Sequence, residues 1–154
     1  MKEKNDKLYY TWEDYDEDMA HLAFTTAELN ELDFDHVVGI YRGSLGMAAH
    51  VSNAFGVPMS IIGIQTRDGK DKDPYWIHNL IDVETKKVLI VDDIYDTGYT
   101  MKKVINHCLL HSSWDCEVIS WCLFGKSNDH NVMYSQEHNG LWVVFPWEIL
   151  NESV

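Results

Sequence analysis

The sequence predicts an α/β domain in which a mostly parallel sheet is flanked by helices. Short runs rich in β-branched and aromatic residues alternate along the chain with segments of helical apolar spacing, the order that builds such a sheet. The run Val88–Val91 (VLIV) is continuously apolar, as expected of a parallel strand covered on both faces. Because 154 residues are enough for one domain with a buried core, we expect a single domain over residues 1–154.

The first predicted helix begins after Thr11. Asp14 follows Thr11 by three residues, which is the spacing of a capping box, and apolar side chains then recur every three or four residues through Met19 and Leu22. The acidic residues at 13–18 are expected to form the solvated first turn, where negative charge suits the helix dipole.

The remaining elements follow from the same helical and strand periodicities, with glycine, proline or polar turn residues between them. In chain order they are a strand at 36–41, a helix at 47–55, strands at 59–64 and 88–91, a helix at 101–111, and strands at 116–124 and 141–145. Residues 65–82 are polar and rich in turn formers, so we expect them to be irregular. A connection of this length inside a compact domain is usually functional.

Charge limits the partners that the chain can have. It carries 12 Lys and Arg against 25 Asp and Glu, a net charge of −13, so nucleic acids and anionic membranes would repel it. Its two arginines are Arg42 and Arg67. We therefore expect no nucleic-acid and no membrane partner, and any bound anion must be held largely by backbone amides, metal ions and very few cations.

A cytoplasmic location is predicted from three features. No apolar run approaches the roughly 20 residues of a membrane span. The first ten residues are charged and lack the apolar stretch of a signal peptide. The three cysteines, Cys108, Cys116 and Cys122, form no CxxC pair, which favours a reducing compartment.

The segment Val88–Thr100 (VLIVDDIYDTGYT) carries the clearest chemical signal. A buried strand brings Asp92 and Asp93 to its carboxyl end, where open α/β sheets place their ligands. Residues 96–100 then offer hydroxyls, a glycine and backbone amides where a helix begins, which suits a phosphate. Together they predict a sugar-phosphate site, because hydroxyls or Mg²⁺ would suit the acids. A receiver-like or other doubly wound domain would explain the paired acids but not the DTGYT that follows.

This segment resembles the signature for 5-phosphoribosyl 1-diphosphate (PRPP) of the type I phosphoribosyltransferases, in which four apolar residues and two acids precede D-T-G-x-T. The resemblance implies that family's single-domain fold, with a mostly parallel twisted sheet. It implies that Asp92 and Asp93 hold the ribose hydroxyls and act in catalysis. It further implies that the 5′-phosphate is bound by Asp96, Thr97, Gly98, Tyr99 and Thr100, although Tyr99 stands where many members have Gly or Lys.

Further segments, in the same order, resemble the xanthine-guanine (6-oxopurine) branch of the family between about Leu8 and Leu150. They are YYTWEDY, YRGSLGMAAHVSNAFGVP, FGK and LWVVFPWE. This resemblance implies a mobile hood loop at about 65–82, in which Arg67 and Tyr75 are candidates for a catalytic role. It also implies a small C-terminal base-binding region at about 125–150.

Arg42 stands beside glycine in a tight turn between a strand and a helix. By itself it is either a surface residue of the connection or an anion ligand. The resemblance makes this turn the pyrophosphate loop, with Arg42, Gly43 and Ser44 on the diphosphate, and implies a non-proline cis peptide bond in it.

The base-binding residues come mainly from the resemblance. By themselves, Lys126 is typical of solvated surface, and Trp142 is equally well a core aromatic of the last strand. The resemblance implies that Lys126 donates to the 6-oxo group, Trp142 stacks on the purine and Val143 presents its carbonyl to the 2-position. The resemblance also makes Asp96 the catalytic carboxylate at purine N7, whereas by itself Asp96 is typical of a helix N-cap, and the two roles can coexist.

The expected cofactor is Mg²⁺, held largely by oxygens of PRPP and by water, with Asp92 or Asp93 in support. His107 and His111 lie four residues apart on a predicted helix, as zinc ligands can. Because the segment contains no HExxH glutamate and suggests no third ligand, helix-surface histidines are the expectation.

The predicted function is transfer of the phosphoribosyl group from PRPP to N9 of a 6-oxopurine (guanine, xanthine or hypoxanthine) with release of pyrophosphate, in purine salvage. Two alternatives remain open: another acceptor base, or a regulatory protein that binds PRPP without catalysis. The resemblance also implies a homodimer or homotetramer.

Overall fold

A computed structural model of the protein describes residues 1–4, 6–29, 33–64, 73–126 and 132–149. The chain forms two compact units, a smaller one of residues 1–32 with 138–154 and a larger one of residues 33–137. In chain order the elements are β1 (Lys2–Lys4), β2 (Lys7–Tyr9), α1 (Trp12–Leu29), β3 (His36–Tyr41), α2 (Leu45–Phe55), β4 (Met59–Gly63), β5 (Tyr75–His78), β6 (Lys87–Ile94), α3 (Tyr99–His111), β7 (Glu117–Gly125), β8 (Met133–Glu137), β9 (Trp142–Val144) and a 3₁₀ turn (Pro146–Glu148).

The larger unit is built on a six-stranded sheet in the order β5-β4-β3-β6-β7-β8. All neighbouring strands run parallel except β4 and β5, which are antiparallel. This confirms the predicted α/β class and its mostly parallel sheet. The carboxyl ends of β3, β6 and β7 meet at one edge of the sheet, and this edge carries most of the predicted site residues.

Helices cover both faces of this sheet. The apolar side of α3 (Met101, Val104 and Cys108) shares one buried cluster with sheet residues that include Val38 and Ile40. On the other face, a Cβ atom at Gly39 would lie 2.6 Å from the Cβ of Ala48 in α2. Side chains alternate between the two faces of the sheet along β3, so Gly39 lies on the face opposite to Val38 and Ile40. Because Gly39 has no side chain, α2 can approach the sheet closely.

The smaller unit has a three-stranded sheet in the order β1-β2-β9, with β1 antiparallel and β9 parallel to β2. The predicted capping box opens α1: the Asp14 N–H donates to Thr11 Oγ1 at 3.2 Å, and the Thr11 N–H donates to Asp14 Oδ2 at 2.9 Å. The Tyr10 hydroxyl, which is buried, donates to Asp18 at 2.6 Å. Among the described residues, no helix has the length and apolar character needed to cross a membrane.

Some elements differ from the prediction at their ends. Strand β6 continues through both acids to Ile94, because its ladder with β7 pairs Asp92 with Cys122 and Ile94 with Phe124. Helix α3 begins at Tyr99 rather than residue 101. The acids therefore belong to the last part of the β6–β7 ladder, and the predicted phosphate motif includes the first residues of the helix.

Other strands were missed. Within the segment predicted to be irregular, β5 pairs with β4, with Tyr75 opposite Gly63, so the prediction was wrong at 75–78. Residues 65–72 of the hood candidate, with Arg67, lie outside the described residues. β1, β2 and β8 were also not predicted. β1 and β2 have three residues each, too few to show a strand period, and in β8 (MYSQE) the two apolar residues are adjacent and do not alternate with polar ones.

Candidate active site

Asp92 and Asp93 lie side by side near the carboxyl end of β6. Asp92 is 9% exposed, and Asp93 is partly buried. Burial raises the pKa of Asp92 well above its ordinary value, and the adjacent charge of Asp93 raises it further. A ligand that brings hydroxyl donors or a cation to this point would relieve that repulsion.

Backbone amides orient the two carboxylates. The Asp93 N–H donates to Asp92 Oδ1 at 3.0 Å, and the Ile94 N–H donates to Asp93 Oδ1 at 2.8 Å. Each carboxylate accepts from the N–H of the residue that follows it, so the local strand backbone orients both side chains. Cys122 pairs with Asp92 across the ladder and is fully buried. Burial raises the pKa of the Cys122 thiol, and the charges of Asp92 and Asp93 raise it further.

The turn between β3 and α2 approaches the same acids. Its peptide bond between Tyr41 and Arg42 is cis, as the resemblance implied. A Cβ atom at Gly43 would collide with the carboxylate of Asp93, so only glycine fits here without movement. The fold therefore brings the predicted pyrophosphate loop directly against the predicted ribose acids.

Arg42 and Ser44 have different environments in this turn. The Arg42 side chain is exposed. Ser44 is fully buried, and its hydroxyl bonds to both backbone groups of Ile40, accepting from the N–H at 2.6 Å and donating to the carbonyl at 2.7 Å. Ser44 therefore shapes the turn, and its predicted contact with a diphosphate stays a prediction.

The predicted phosphate loop leads into α3. Gly98, with a φ of 74°, occupies the N-cap position in the left-handed region that favours glycine. The N-cap alternative for Asp96 is therefore wrong. Tyr95 was not foreseen as part of this loop: its ring would collide with a Cβ atom at Gly98, and its N–H donates to the Phe124 carbonyl at 2.8 Å.

Asp96 and Lys126 form an ion pair, with side chains that are 60% and 47% exposed. Lys126 directly follows β7 and Asp96 follows β6, which are neighbours in the sheet. The pair thus places an ammonium donor and a carboxylate acceptor at the predicted phosphate loop. The two residues are 30 apart in the chain, so only the sheet order brings them together.

Trp142 and Val143 lie in the smaller unit, on β9. Trp142 is 61% exposed, so the alternative of a core aromatic is wrong. Val143 is buried and pairs with Leu8 of β2. An exposed aromatic side chain can stack on a planar ligand, and the predicted base-binding role of both residues stays a prediction.

His107 and His111 stack along α3 with ring centroids 4.4 Å apart, and both rings contact Trp76 of β5. His111 is exposed as predicted, whereas His107 is partly buried, and this burial lowers the pKa of its imidazole. In the described part of the chain, no three His, Cys, Asp or Glu side chains form a group that could hold a metal ion.

Comparison with known proteins identifies the class. The chain matches the phosphoribosyl transferase domain family over residues 11–151, a range that runs through both compact units, and it belongs to this family. It has the single-domain α/β fold of the type I phosphoribosyltransferases. The predicted boundaries of the hood, at 65–82, and of the base-binding region, at 125–150, stay predictions.

The sequence identity to individual members of the family is low. A purine phosphoribosyltransferase from Pyrococcus horikoshii is 30% identical, with a TM-score of 0.76, and the match covers 96% of this chain and 97% of that one. The xanthine-guanine-hypoxanthine phosphoribosyltransferase of Helicobacter pylori, 18% identical, shares the fold with a TM-score of 0.75 over 93% of each chain. The orotate phosphoribosyltransferase of Sulfurisphaera tokodaii is 29% identical over 80 residues, which are 51% of this chain and 38% of that enzyme.

Proposed function

We propose that this protein transfers the phosphoribosyl group of PRPP to N9 of a 6-oxopurine and releases pyrophosphate. The observation that carries the proposal is the Asp96–Lys126 pair beside the phosphate loop. An ammonium can only donate and so matches the acceptor O6, whereas the 6-amino group of adenine is itself a donor. The similarity to the purine phosphoribosyltransferase of Pyrococcus horikoshii supports a purine acceptor.

Each part of the substrate has a matching group in the proposed complex. The 2- and 3-hydroxyls of the ribose donate to Asp92 and Asp93, and the 5′-phosphate accepts from the backbone and hydroxyls of residues 96–100. Arg42 and the backbone at Gly43 contact the diphosphate. Trp142 and Val143 are proposed to contact the base.

The residues present also fit Mg²⁺. Asp93, the more exposed of the two adjacent carboxylates, is suited to support a cation that is held mainly by substrate oxygens, which is the usual way Mg²⁺ binds beside phosphates. Asp92, buried and with a raised pKa, is the less suitable ligand of the two. When bound, the ion supplies positive charge to the leaving diphosphate.

The chemistry needs one bond to form and one to break at C1 of the ribose. The lone pair on N9 forms the new C–N bond, and the C–O bond to the diphosphate breaks with its electron pair leaving on oxygen. Asp96 takes the proton from N7, so the product purine is neutral. Arg42 stabilises the charge that develops on the leaving oxygens.

The similarity to an orotate phosphoribosyltransferase favours one rival acceptor, a pyrimidine carboxylate. Lys126 could pair with that carboxylate as well as with O6. A regulatory protein that binds PRPP without catalysis is the other alternative. The homo-oligomeric state and the cytoplasmic location stay predictions.

The test is a pyrophosphate-release assay with PRPP, Mg²⁺ and a panel of guanine, xanthine, hypoxanthine, adenine and orotate. A site built to pair with O6 should favour a 6-oxopurine over adenine by about 10⁴ in kcat/KM. Lys126→Ala should remove most of the 6-oxopurine activity and reduce that preference. Lys86→Met is the matched control, because Lys86 also forms an exposed ion pair, with Asp115 at 2.8 Å.

Three outcomes contradict the proposal. A preference for adenine or orotate would reassign the acceptor. A preference that Lys126→Ala leaves unaltered would remove Lys126 from the base site. PRPP binding without pyrophosphate release from any base would favour the regulatory alternative.

A further inference from the structure

Lys103 lies in the second turn of α3, between the predicted phosphate loop and the segment that enters β5. Its Nζ is 5.3 Å from the centroid of the Tyr99 ring, within the range of a cation–π contact. On its other side it lies 3.8 Å from Oδ1 of Asp73. The Lys103 side chain is only 24% exposed, whereas Asp73 is 98% exposed, so solvent screens this ion pair strongly.

The N-terminal end of α3 carries positive side chains where negative ones are usual. Positive side chains near a helix N-terminus oppose the helix dipole, and acids are normally favoured there. The first turn of α3 has no acid, and Lys102 and Lys103 are the fourth and fifth residues of the helix. The local arrangement therefore lowers the stability of the helix and raises the attraction of this end for an anion.

Tyr99 connects this charge to the loop. It is the first residue of α3 and directly follows Gly98, the left-handed N-cap. Its side chain is 47% exposed. The contact with Lys103 holds the Tyr99 ring against the helix. Because Tyr99 is the first residue of α3, the same contact restricts the orientation of the peptide units that precede Tyr99.

We propose that Lys103 is a positioning residue of the phosphate loop. It acts through the ring of Tyr99, which orients the loop backbone, and its ammonium adds to the attraction for the 5′-phosphate. This inference rests on the proposed function, because it assumes that residues 96–100 hold the phosphate of PRPP. It also gives a role to Tyr99, the position at which the chain departs from the Gly or Lys of many family members.

The experiment measures binding by calorimetry for three ligands in the presence of Mg²⁺: PRPP, ribose 5-phosphate and pyrophosphate. Lys103→Met should weaken PRPP and ribose 5-phosphate by about 3- to 10-fold, the size expected of one partly screened charge, and leave pyrophosphate unchanged. In kinetics KM for PRPP should rise while kcat at saturation stays constant. Lys103→Gln is measured alongside, so that the result does not depend on one substitution.

Two controls separate positioning from general stability. Lys102→Met removes the same charge from the neighbouring exposed residue and should weaken PRPP and ribose 5-phosphate clearly less than Lys103→Met does, because it leaves the contact of Lys103 with Tyr99 in place. Lys103→Arg keeps both the charge and the stacking capacity and should restore wild-type binding. In a Tyr99→Gly background, Lys103→Met should have a smaller effect than in the wild type.

The possible failures are distinguishable. If the wild type binds neither PRPP nor ribose 5-phosphate, the proposed function is wrong. If it binds both but Lys103→Met weakens pyrophosphate equally, or Lys102→Met has the same effect, the positioning role is wrong. An effect of full size in the Tyr99→Gly background would show that Lys103 does not act through Tyr99.

Discussion

Carboxylates in the two compact units have opposite environments. In the smaller unit, Asp14 and Asp18 accept hydrogen bonds from Thr11 and Tyr10, so their own unit supplies their donors. In the larger unit, Asp92 is buried next to a second carboxylate, Asp93. The first pair stabilises the start of a helix, whereas the second keeps an unfavourable charge at the carboxyl end of a parallel sheet.

The pKa values follow this difference. Burial alone would raise the pKa of Asp14, but the hydrogen bonds from the chain's amino terminus and from Thr11 lower it below its ordinary value. Burial and the charge of Asp93 raise the pKa of Asp92. A carboxylate that its own fold stabilises has a structural role, while one held in an unfavourable state is a candidate for ligand binding.

The largest expected effect comes from Asp92→Asn combined with Asp93→Asn. Loss of two charged acceptors for the ribose hydroxyls should lower kcat/KM for PRPP by about 10²- to 10⁴-fold, because each charged hydrogen bond contributes roughly 1.5–3 kcal/mol. The fold should persist, as measured by circular dichroism. Unchanged kcat/KM would show that these acids do not hold the sugar.

The next effect concerns Tyr10→Phe in the smaller unit. This substitution removes a donor from the buried Asp18 and should lower the free energy of unfolding by about 1–3 kcal/mol. Denaturant unfolding measures the loss, and kcat/KM below the transition should match the wild type. A neutral result would mean that the hydrogen bond does not stabilise the helix start.

Asp92→Asn alone should raise stability at neutral pH, by about 0.5–2 kcal/mol, as substitutions that relieve a strained functional site commonly do. The wild-type pKa is raised on folding, so wild-type stability falls as pH rises from about 4, the unfolded pKa, through the folded value. The advantage of Asp92→Asn should therefore be absent in acid and grow with pH. Chemical denaturation at a series of pH values measures it, and a constant difference would contradict the assignment.

The smallest effect, with the opposite pH dependence, is expected for Asp14→Asn. It weakens the capping box and should cost about 0.5–1 kcal/mol of unfolding free energy. Because the folded pKa of Asp14 is lowered, its contribution is complete above an unfolded pKa of about 4 and is lost as pH falls through the folded value. The same denaturation series tests this sign, and turnover should be retained.

Local signals predicted the parts of the fold that depend on neighbouring residues. The capping box at Thr11 and Asp14 and the helices that follow Arg42 and Gly98 were found because their determinants lie within a few residues of one another. The strand β5 was missed because its pairing with β4 joins Gly63 to Tyr75 across a polar connection, and no local pattern encodes that partner.

The candidate site likewise contains residues that local patterns predicted and contacts that they did not. Motif and resemblance selected Asp92, Asp93 and residues 96–100. The burial of Asp92 opposite Cys122, the approach of Gly43 to Asp93, and Tyr95 at Gly98 had no signal in the sequence. These contacts depend on strand register and loop path, which arise only when the sheet has assembled.

The sequence by itself thus determined the class of the fold and the position of the acid pair and of the predicted phosphate motif, because each of these depends on short stretches of the chain. Only the tertiary structure decided that Asp96 meets Lys126, that Lys103 lies between Tyr99 and Asp73, and that Trp142 is exposed. The physical reason is that parallel strands pair with partners far away in the chain. The order β3-β6-β7 therefore places their carboxyl ends, and the side chains that follow them, at one edge.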